Sequence, residues 1–377
     1  MLTFRPVLGL AMLALVSGCG DGAAPAEPDA APPIDAAAPP AFALFDYPLA
    51  IDVSPDGSRA VFQDFAGGVA TVVVHDTATG VSTTVAELGD PARTLATGVA
   101  ATGRISAMRN EPLEAALWSP TGSWLDLGSP FAAGCGDAEV SGAFDVSADG
   151  HVAVGLAWDG CVAKGFRWSD ASGAGAFAPL AVLGQSAAGP GTAPTNRATV
   201  VSDDGRVAAG FAENGPIDRS PAMWQPDGTG ELLDPTNVDA PGEVLAIDGT
   251  GTALAGQRGN DGFVWTRAAG FVAIPRLPAA LPSDPVYPNA MTADGTRVFG
   301  GIGNAFFTTP LAFVWSATAG TRDLTELATA SGVALPTGTI LTSVLGASAD
   351  GTVLIGTAMD AAFAPKTFVL RLPASAL

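Results

Sequence analysis

Few residues in this chain carry side chains suited to nucleophilic, acid–base or metal chemistry, and their types limit the reactions that are open. There are two histidines, His75 and His151, and three cysteines, Cys19, Cys135 and Cys161. His75 falls in a β-prone run, VVVHD, while His151 directly follows a tight turn of the form S-x-D-G. The two are therefore expected on opposite faces of the fold, too far apart to share a site. Neither Cys135 nor Cys161 has an evident histidine partner, which argues against thiolate catalysis. No G-x-S-x-G, H-E-x-x-H, phosphate-binding or dinucleotide-binding fingerprint stands in a suitable strand and helix context. The aspartates that precede glycines lie outside any D-x-D-x-D-G loop, so they read as turn formers and no metal or cofactor is expected. What remains is carboxylate chemistry. Glu111, Glu114, Asp137, Glu139, Asp159, Glu213 and Asp284 lie in loops, and two carboxyl groups at the right separation suffice to act on a glycosidic bond.

The elements that must position these groups come from a repeat. Seven units are anchored on a glycine: SPDG at Gly57, AATG at Gly103, SADG at Gly150, SDDG at Gly205, DGTG at Gly251, TADG at Gly295 and SADG at Gly351. A period of this length marks a propeller or solenoid, in which each unit buries its faces against its neighbours. Five copies have a second glycine five residues on, at Gly155, Gly210, Gly256, Gly300 and Gly356. Trp118, Trp168, Trp224, Trp265 and Trp315 then share one position in the following apolar strand, where a large ring serves as an anchor between packed sheets. Each unit supplies four short strands, the last of them runs such as SWLDLG, FVAIPRL and TRDLTEL.

The fold class expected is all-β: a seven-bladed propeller of four-stranded blades spanning 42–377. The seventh unit runs out after KTFVLRL, one strand short. Residues 42–46, FALFD, precede the first unit and are expected to pair with 366–371, closing the ring. Length variation is confined to the connectors between blades and the loops before the tryptophan strand, which share one face. Asp137, Asp159, Arg219, Asp284 and Tyr287 are the candidate binding residues on that variable face. Cys135 and Cys161 are expected there too, within one blade's width, either joined as a disulfide or as separate thiols.

The remaining composition restricts partners. With 37 acidic and 17 basic side chains the net charge is −20, which repels phosphate backbones and excludes nucleic acid. At the N-terminus, Arg5, an apolar run from Val7 to Val16 and then Val16-Ser17-Gly18-Cys19 resemble a bacterial lipoprotein signal. That resemblance implies removal of 1–18, lipid on Cys19 and an outer-membrane location. Residues 19–41, rich in Ala and Pro, read as a flexible tether. The pattern S-x-D-G, a glycine five residues later, A-F-x-W and G-x-x-x-L resembles extracellular HAF-type repeat proteins, and DVSPDGSRAVF is similar to a blade of TolB-type propellers. These motifs imply an architecture more than an activity. The reading is a monomeric, membrane-anchored binding or scaffold protein without enzymatic activity, whose partner is a protein or glycan of the cell envelope. The alternative is a hydrolase or lyase acting on polysaccharide or peptidoglycan through carboxylates of the variable face.

Overall fold

The recurrent turn forms for local reasons. In the first unit the Ser54 hydroxyl donates to Asp56 Oδ1 at 2.6 Å and accepts the Arg59 N–H at 3.0 Å, while Asp56 Oδ1 accepts the Ser58 N–H at 3.0 Å. Gly57 follows with a φ of 69°, a conformation that costs glycine nothing. Ser147 with Asp149, Ser202 with Asp204 and Ser348 with Asp350 repeat the arrangement. Thr292 replaces the serine before Asp294. In the fifth unit Asp248 stands at the serine position and itself accepts the Thr252 N–H at 2.8 Å.

A computed structural model describes residues 41–110, 112–131, 140–186, 193–215, 219–236, 240–303 and 309–377. Strand β1 is Ala41–Phe45, and blade 1 contains β2 (Leu49–Val53), β3 (Arg59–Asp64), β4 (Ala70–Asp76) and β5 (Ser82–Gly89). Blade 2 contains β6 (Leu95–Val99), β7 (Ile105–Arg109), β8 (Glu114–Ser119) and β9 (Ser123–Gly128). Blade 3 contains β10 (Ser141–Val146), β11 (Val152–Asp159), β12 (Val162–Ser169) and β13 (Ala176–Pro179). Blade 4 contains β14 (Asn196–Val201), β15 (Ala208–Ala212), β16 (Ser220–Trp224) and β17 (Gly230–Leu232). Blade 5 contains β18 (Gly242–Ile247), β19 (Ala253–Arg258), β20 (Asp261–Thr266) and β21 (Gly270–Ile274). Blade 6 contains β22 (Val286–Met291), β23 (Arg297–Ile302), β24 (Leu311–Ser316) and β25 (Gly320–Asp323). Blade 7 is β26 (Ile340–Ala347), β27 (Val353–Met359) and β28 (Pro365–Arg371), completed by β1. All pairings are antiparallel, and β1 runs from Ala41 opposite Arg371 to Phe45 opposite Thr367. The chain is thus a seven-bladed β-propeller closed by its own N-terminal strand.

Each innermost strand slips register against its neighbour at one shared position, Ala50/Asp52, Ala96/Gly98, Ala143/Asp145, Ala198/Val200, Val244/Ala246, Pro288/Ala290 and Val344/Gly346, and β26 slips a second time at Leu341/Ser343. The extra residues, Ile51, Thr97, Phe144, Thr199, Leu245, Asn289 and Leu345, all line a central channel of about 430 Å³. A bulge turns a side chain that would otherwise face a neighbouring blade toward the axis. These bulges also explain the second glycine. A Cβ on Gly155, Gly210, Gly256, Gly300 or Gly356 would run into the carbonyl oxygen of Gly142, Arg197, Glu243, Tyr287 or Ser343, which lies two residues before the bulged residue. Backbone cannot yield as a side-chain tip can. Gly155→Ala is accordingly expected to destabilise the fold by about 1–3 kcal/mol, read as a lower midpoint in thermal unfolding. An unchanged midpoint would show that the inner hairpin has slack.

At the other end of the channel the turns lock the blades together. The second residue of one turn donates its N–H to the same position of the next: Ala101 to Ala148 (2.9 Å), Ala148 to Asp203 (3.1 Å), Gly249 to Ala293 (3.0 Å), Ala293 to Ala349 (2.8 Å) and Ala349 to Pro55 (2.8 Å). Between blades 4 and 5 Asp204 donates to Gly249 at 3.1 Å. Pro55 has no N–H, and the Arg59 guanidinium donates to the Ala101 carbonyl at 3.2 Å instead.

The tryptophans pack between blades. Trp118 joins Val61 and Val72 of blade 1, Trp168 joins Leu117 of blade 2, and Trp224 joins Val152 and Val154 of blade 3. Trp265 meets Met223 of blade 4, and Trp315 meets Ala255 and Val264 of blade 5. His75 takes this position in blade 1 and packs its ring edge-on to Phe45 at 4.9 Å. Leu370 takes it in blade 7. One expected strand is shorter than TRDLTEL suggests: β25 ends at Asp323, whose carboxylate caps a helix, α1 (Leu324–Ala330), by accepting the Glu326 N–H at 3.0 Å. Leu324 and Ala328 of that helix are buried against blade 7.

Candidate functional site on the variable face

Two residues toward the variable face from each bulged residue, every innermost strand contributes one residue around the channel mouth. In blade order these are Leu49, Leu95, Gly142, Arg197, Glu243, Tyr287 and Ser343. Blades 1 to 3 make an apolar arc and blades 4 to 7 a polar one.

The polar arc ends in a cleft of about 530 Å³ between blades 6, 7 and 1. Tyr47 and Tyr287, the two tyrosines of the whole chain, both line it, with Pro48, Pro310, Pro365 and Met359. Tyr47 stacks on Phe45 at 5.7 Å, which fixes its ring. The polar groups of the cleft are mostly turned to one another. Thr342 and Thr357 share a hydrogen bond of 2.8 Å, Thr367 donates to the Phe45 and Tyr47 carbonyls, and Ser343 donates to the Val344 carbonyl. Lys366 is bonded to Asp46, with Asp360 at 3.8 Å, and the Asp46 contact raises its pKa. Beside the cleft, the β27–β28 turn presents Phe363 with 69% of its surface exposed and a φ of 59°. Asp360 holds that turn, accepting the Ala362 and Ala364 N–H groups at 2.8 and 2.9 Å. A bulky residue in the left-handed region is strained, and strain combined with exposure marks a displayed side chain.

At the other end of the polar arc, Glu243 binds two arginines. Arg197 lies 2.5 Å and Arg219 3.2 Å from its carboxylate, and the Thr199 hydroxyl donates to it as well. The Arg197 guanidinium lies between the rings of Phe144 (4.7 Å) and Phe211 (5.1 Å), and that of Arg219 lies 4.5 Å from Phe211. Aromatic faces and guanidinium groups therefore alternate across blades 3 and 4.

Deeper in the channel lie Asp52 and Asp145. Asp52 accepts the N–H of Val53 (2.8 Å) and, across the blade boundary, that of Val99 (3.1 Å). Asp145 accepts from Val146 (2.8 Å) and from Val201 of the next blade (2.8 Å). Each fills space that a glycine leaves in the preceding blade, Gly346 for Asp52 and Gly98 for Asp145. Burial pushes the Asp52 carboxyl up to about 7 and that of Asp145 well above its ordinary value, with their mutual repulsion adding to the second.

No protein-family model matches this sequence, and no curated protein matches it. Solved structures do. An oligogalacturonate lyase from Vibrio parahaemolyticus aligns with a TM-score of 0.53 at 12% identity, covering 90% of this chain and 98% of its own. A streptogramin B lyase aligns with a TM-score of 0.53 at 12% identity, covering 88% and 97%. Likeness at this identity is likeness of fold alone. TolB from Acinetobacter baumannii, at TM-score 0.39 and 11% identity, covers 84% of this chain and 64% of its own, too distant to carry an argument.

The candidate residues named from sequence fall in different places. Tyr287 lines the cleft, and Arg219 belongs to the arginine cluster. Asp159 pairs with Lys164 at 2.6 Å in the β11–β12 turn, which also carries Cys161. Asp284 is buried and accepts the Leu281 N–H at 2.8 Å, shaping its own connector. Glu114 accepts from Asn110 within its own hairpin loop, and Glu213 accepts the Thr195 N–H, tying the loop after β15 to the connector before β14. Cys19, Glu111, Cys135, Asp137 and Glu139 lie outside the described residues. His75 bonds Ser82 inside blade 1, and His151 bonds Asp170 at 2.6 Å on the turn face. Sequence reasoning missed Asp52 and Asp145. Their signal was available: IDVS and FDVS place an aspartate inside an apolar strand where the other blades have Gly, Val or Ala.

Proposed function

We propose that this chain is an exported, lipid-anchored propeller that works by recognition, its variable face docking an extended apolar segment of a cell-envelope protein. The observation that carries this is the cleft between blades 6, 7 and 1. A glycan needs polar partners for its many hydroxyls, and the threonines, Ser343 and Lys366 of the cleft are already engaged with their neighbours. Aromatic rings, prolines and a methionine remain, with Phe363 displayed at the rim, which suits apolar side chains of a protein. The anchor is Cys19. β1 begins beside Arg371 on the face of the S-x-D-G turns, so the chain enters the propeller opposite the cleft. A bridge between Cys135 and Cys161 would restrain the loops of blade 3 on the cleft side. Among the described residues, acid–base chemistry on a polysaccharide could draw on Asp52 and Asp145 in the channel, but each has both oxygens held by backbone amides, which gives them a structural role.

A photo-crosslinking amino acid placed at Phe363 in cells is expected to give a discrete protein adduct, whereas one at His151 on the turn face gives none. Tyr287→Ala is expected to weaken the adduct about tenfold or more, as loss of an aromatic anchor does, without lowering the unfolding midpoint. Equal adducts from both faces, or indifference to Tyr287→Ala, would overturn the reading. Binding of a neutral envelope glycan to the cleft would replace protein by glycan as the partner.

A further inference from the structure

We infer that Arg197 and Arg219 form a carboxylate-binding subsite for the same partner segment, so that the propeller recognises an apolar stretch followed by an acidic residue. This rests on the reading of the cleft given above.

Among the described residues the cluster holds two guanidinium groups against one carboxylate, Glu243, a local excess of positive charge in a chain whose net charge is −20. Arg197 is largely enclosed, its side chain 20% exposed, and is fixed by two rings, Thr199 and Glu243. Arg219 differs. Half of its side chain is exposed, and its contact with Glu243 runs through Nη1 at 3.2 Å. Its ring partner, Phe211, is buried and paired in register with Arg197, so the plane of the guanidinium is set from below. A planar fork with one edge committed and another toward solvent matches a carboxylate, which takes two parallel N–H bonds. Position points the same way. Around the mouth the order is Arg197, Glu243, Tyr287, Ser343, one residue per consecutive blade, and Tyr287 and Ser343 line the cleft. A segment leaving the cleft across Tyr287 reaches the arginines after one further blade. Glu243 repels acidic crowding and holds the two arginines apart, which gives the site a preference for a single acidic group.

The test uses the purified protein and two libraries of apolar hexapeptides, one ending in a Glu residue and one in its neutral isostere Gln, both amidated at the C-terminus. The protein is expected to retain Glu peptides about tenfold more strongly than their Gln counterparts. Arg219→Ala should erase that preference while the unfolding midpoint stays put, and Arg219→Lys should keep part of it. Tyr287→Ala should weaken both libraries equally, which separates the subsite from the cleft. Equal retention of Glu and Gln peptides, with Tyr287→Ala still weakening both, overturns the arginine subsite and leaves the cleft standing. No retention of either library overturns both. Preference for an acidic oligosaccharide over the Glu peptides overturns the assignment to a protein.

Discussion

Deletion of residues 41–47 is expected to lower the unfolding midpoint by on the order of 10 °C and to broaden the transition, because it removes the strand that closes the ring. β1 contributes more than a ladder of hydrogen bonds. Phe42 and Leu44 pack on the core of blade 7, while Phe45 lies 4.9 Å from Phe62 and from His75 in blade 1. Large apolar side chains contribute about 1.5–3 kcal/mol each when fully buried. Three of them, even at half that value, matter against a net stability of about 5–15 kcal/mol for a domain. Loss of β1 also strips the cleft, since Asp46 and Tyr47 form part of its wall. Lys366 then keeps only the longer contact with Asp360. A synthetic peptide of residues 41–47 added in trans should restore part of the midpoint, because the register Ala41↔Arg371 to Phe45↔Thr367 is specified by side-chain alternation and needs no covalent link. A deletion protein that unfolds like the parent would mean that three strands suffice for blade 7.

The architecture was legible in the sequence because its rules are local and repeated. A serine two residues before an aspartate, then a glycine, closes a hairpin wherever it occurs, and five tryptophans at one strand position can only be inter-blade packing. Even the closure could be read, since KTFVLRL ends one strand short and FALFD has the pattern to supply it. The site was less legible, because it is assembled across blades. Tyr47 sits before the first turn and Tyr287 begins the sixth blade, and nothing in either neighbourhood says that they meet. Arg197, Arg219 and Glu243 come from three separate stretches, joined only by the bulges that set the mouth of the channel. Asp284 shows the converse: an acid in a proline-rich connector looks exposed in sequence, yet it folds inward to accept the Leu281 N–H.

Stability is expected to peak near pH 4–5 and to fall on both sides, because two groups of aspartates are displaced in opposite directions. In the turns, burial alone would raise Asp56, Asp149, Asp294 and Asp350, but bonds from Ser54, Ser147, Thr292 and Ser348 and from backbone amides outweigh it and lower all four. A lowered carboxyl contributes stability that is present above its unfolded value of about 3.9 and is lost as pH falls through the folded value. In the channel the sign reverses. Burial raises Asp52 to about 7 against the Val99 and Val53 amides, and burial together with the charge of Asp52 raises Asp145. A raised carboxyl binds an extra proton in the folded state, so its contribution is complete below about pH 4 and is lost as pH rises toward 7. Each tenfold difference in proton affinity between the folded and unfolded chain corresponds to about 1.4 kcal/mol, and the channel opening admits some solvent, so Asp52 alone should account for about 2–4 kcal/mol across that window. Unfolding midpoints measured from pH 3 to 8 should therefore rise to about pH 4–5 and then decline. Asp52→Asn gives the sharper test. Asn offers one acceptor oxygen to two amide donors, Val53 and Val99, and should cost about 1–3 kcal/mol at pH 5. It also removes a charge that the channel disfavours, so the variant should lose less stability than the parent between pH 5 and 8 and the two curves should converge. A parent protein whose midpoint stays level from pH 5 to 8 would show that the amide bonds hold Asp52 and Asp145 ionised throughout, making them permanent anionic latches between blades.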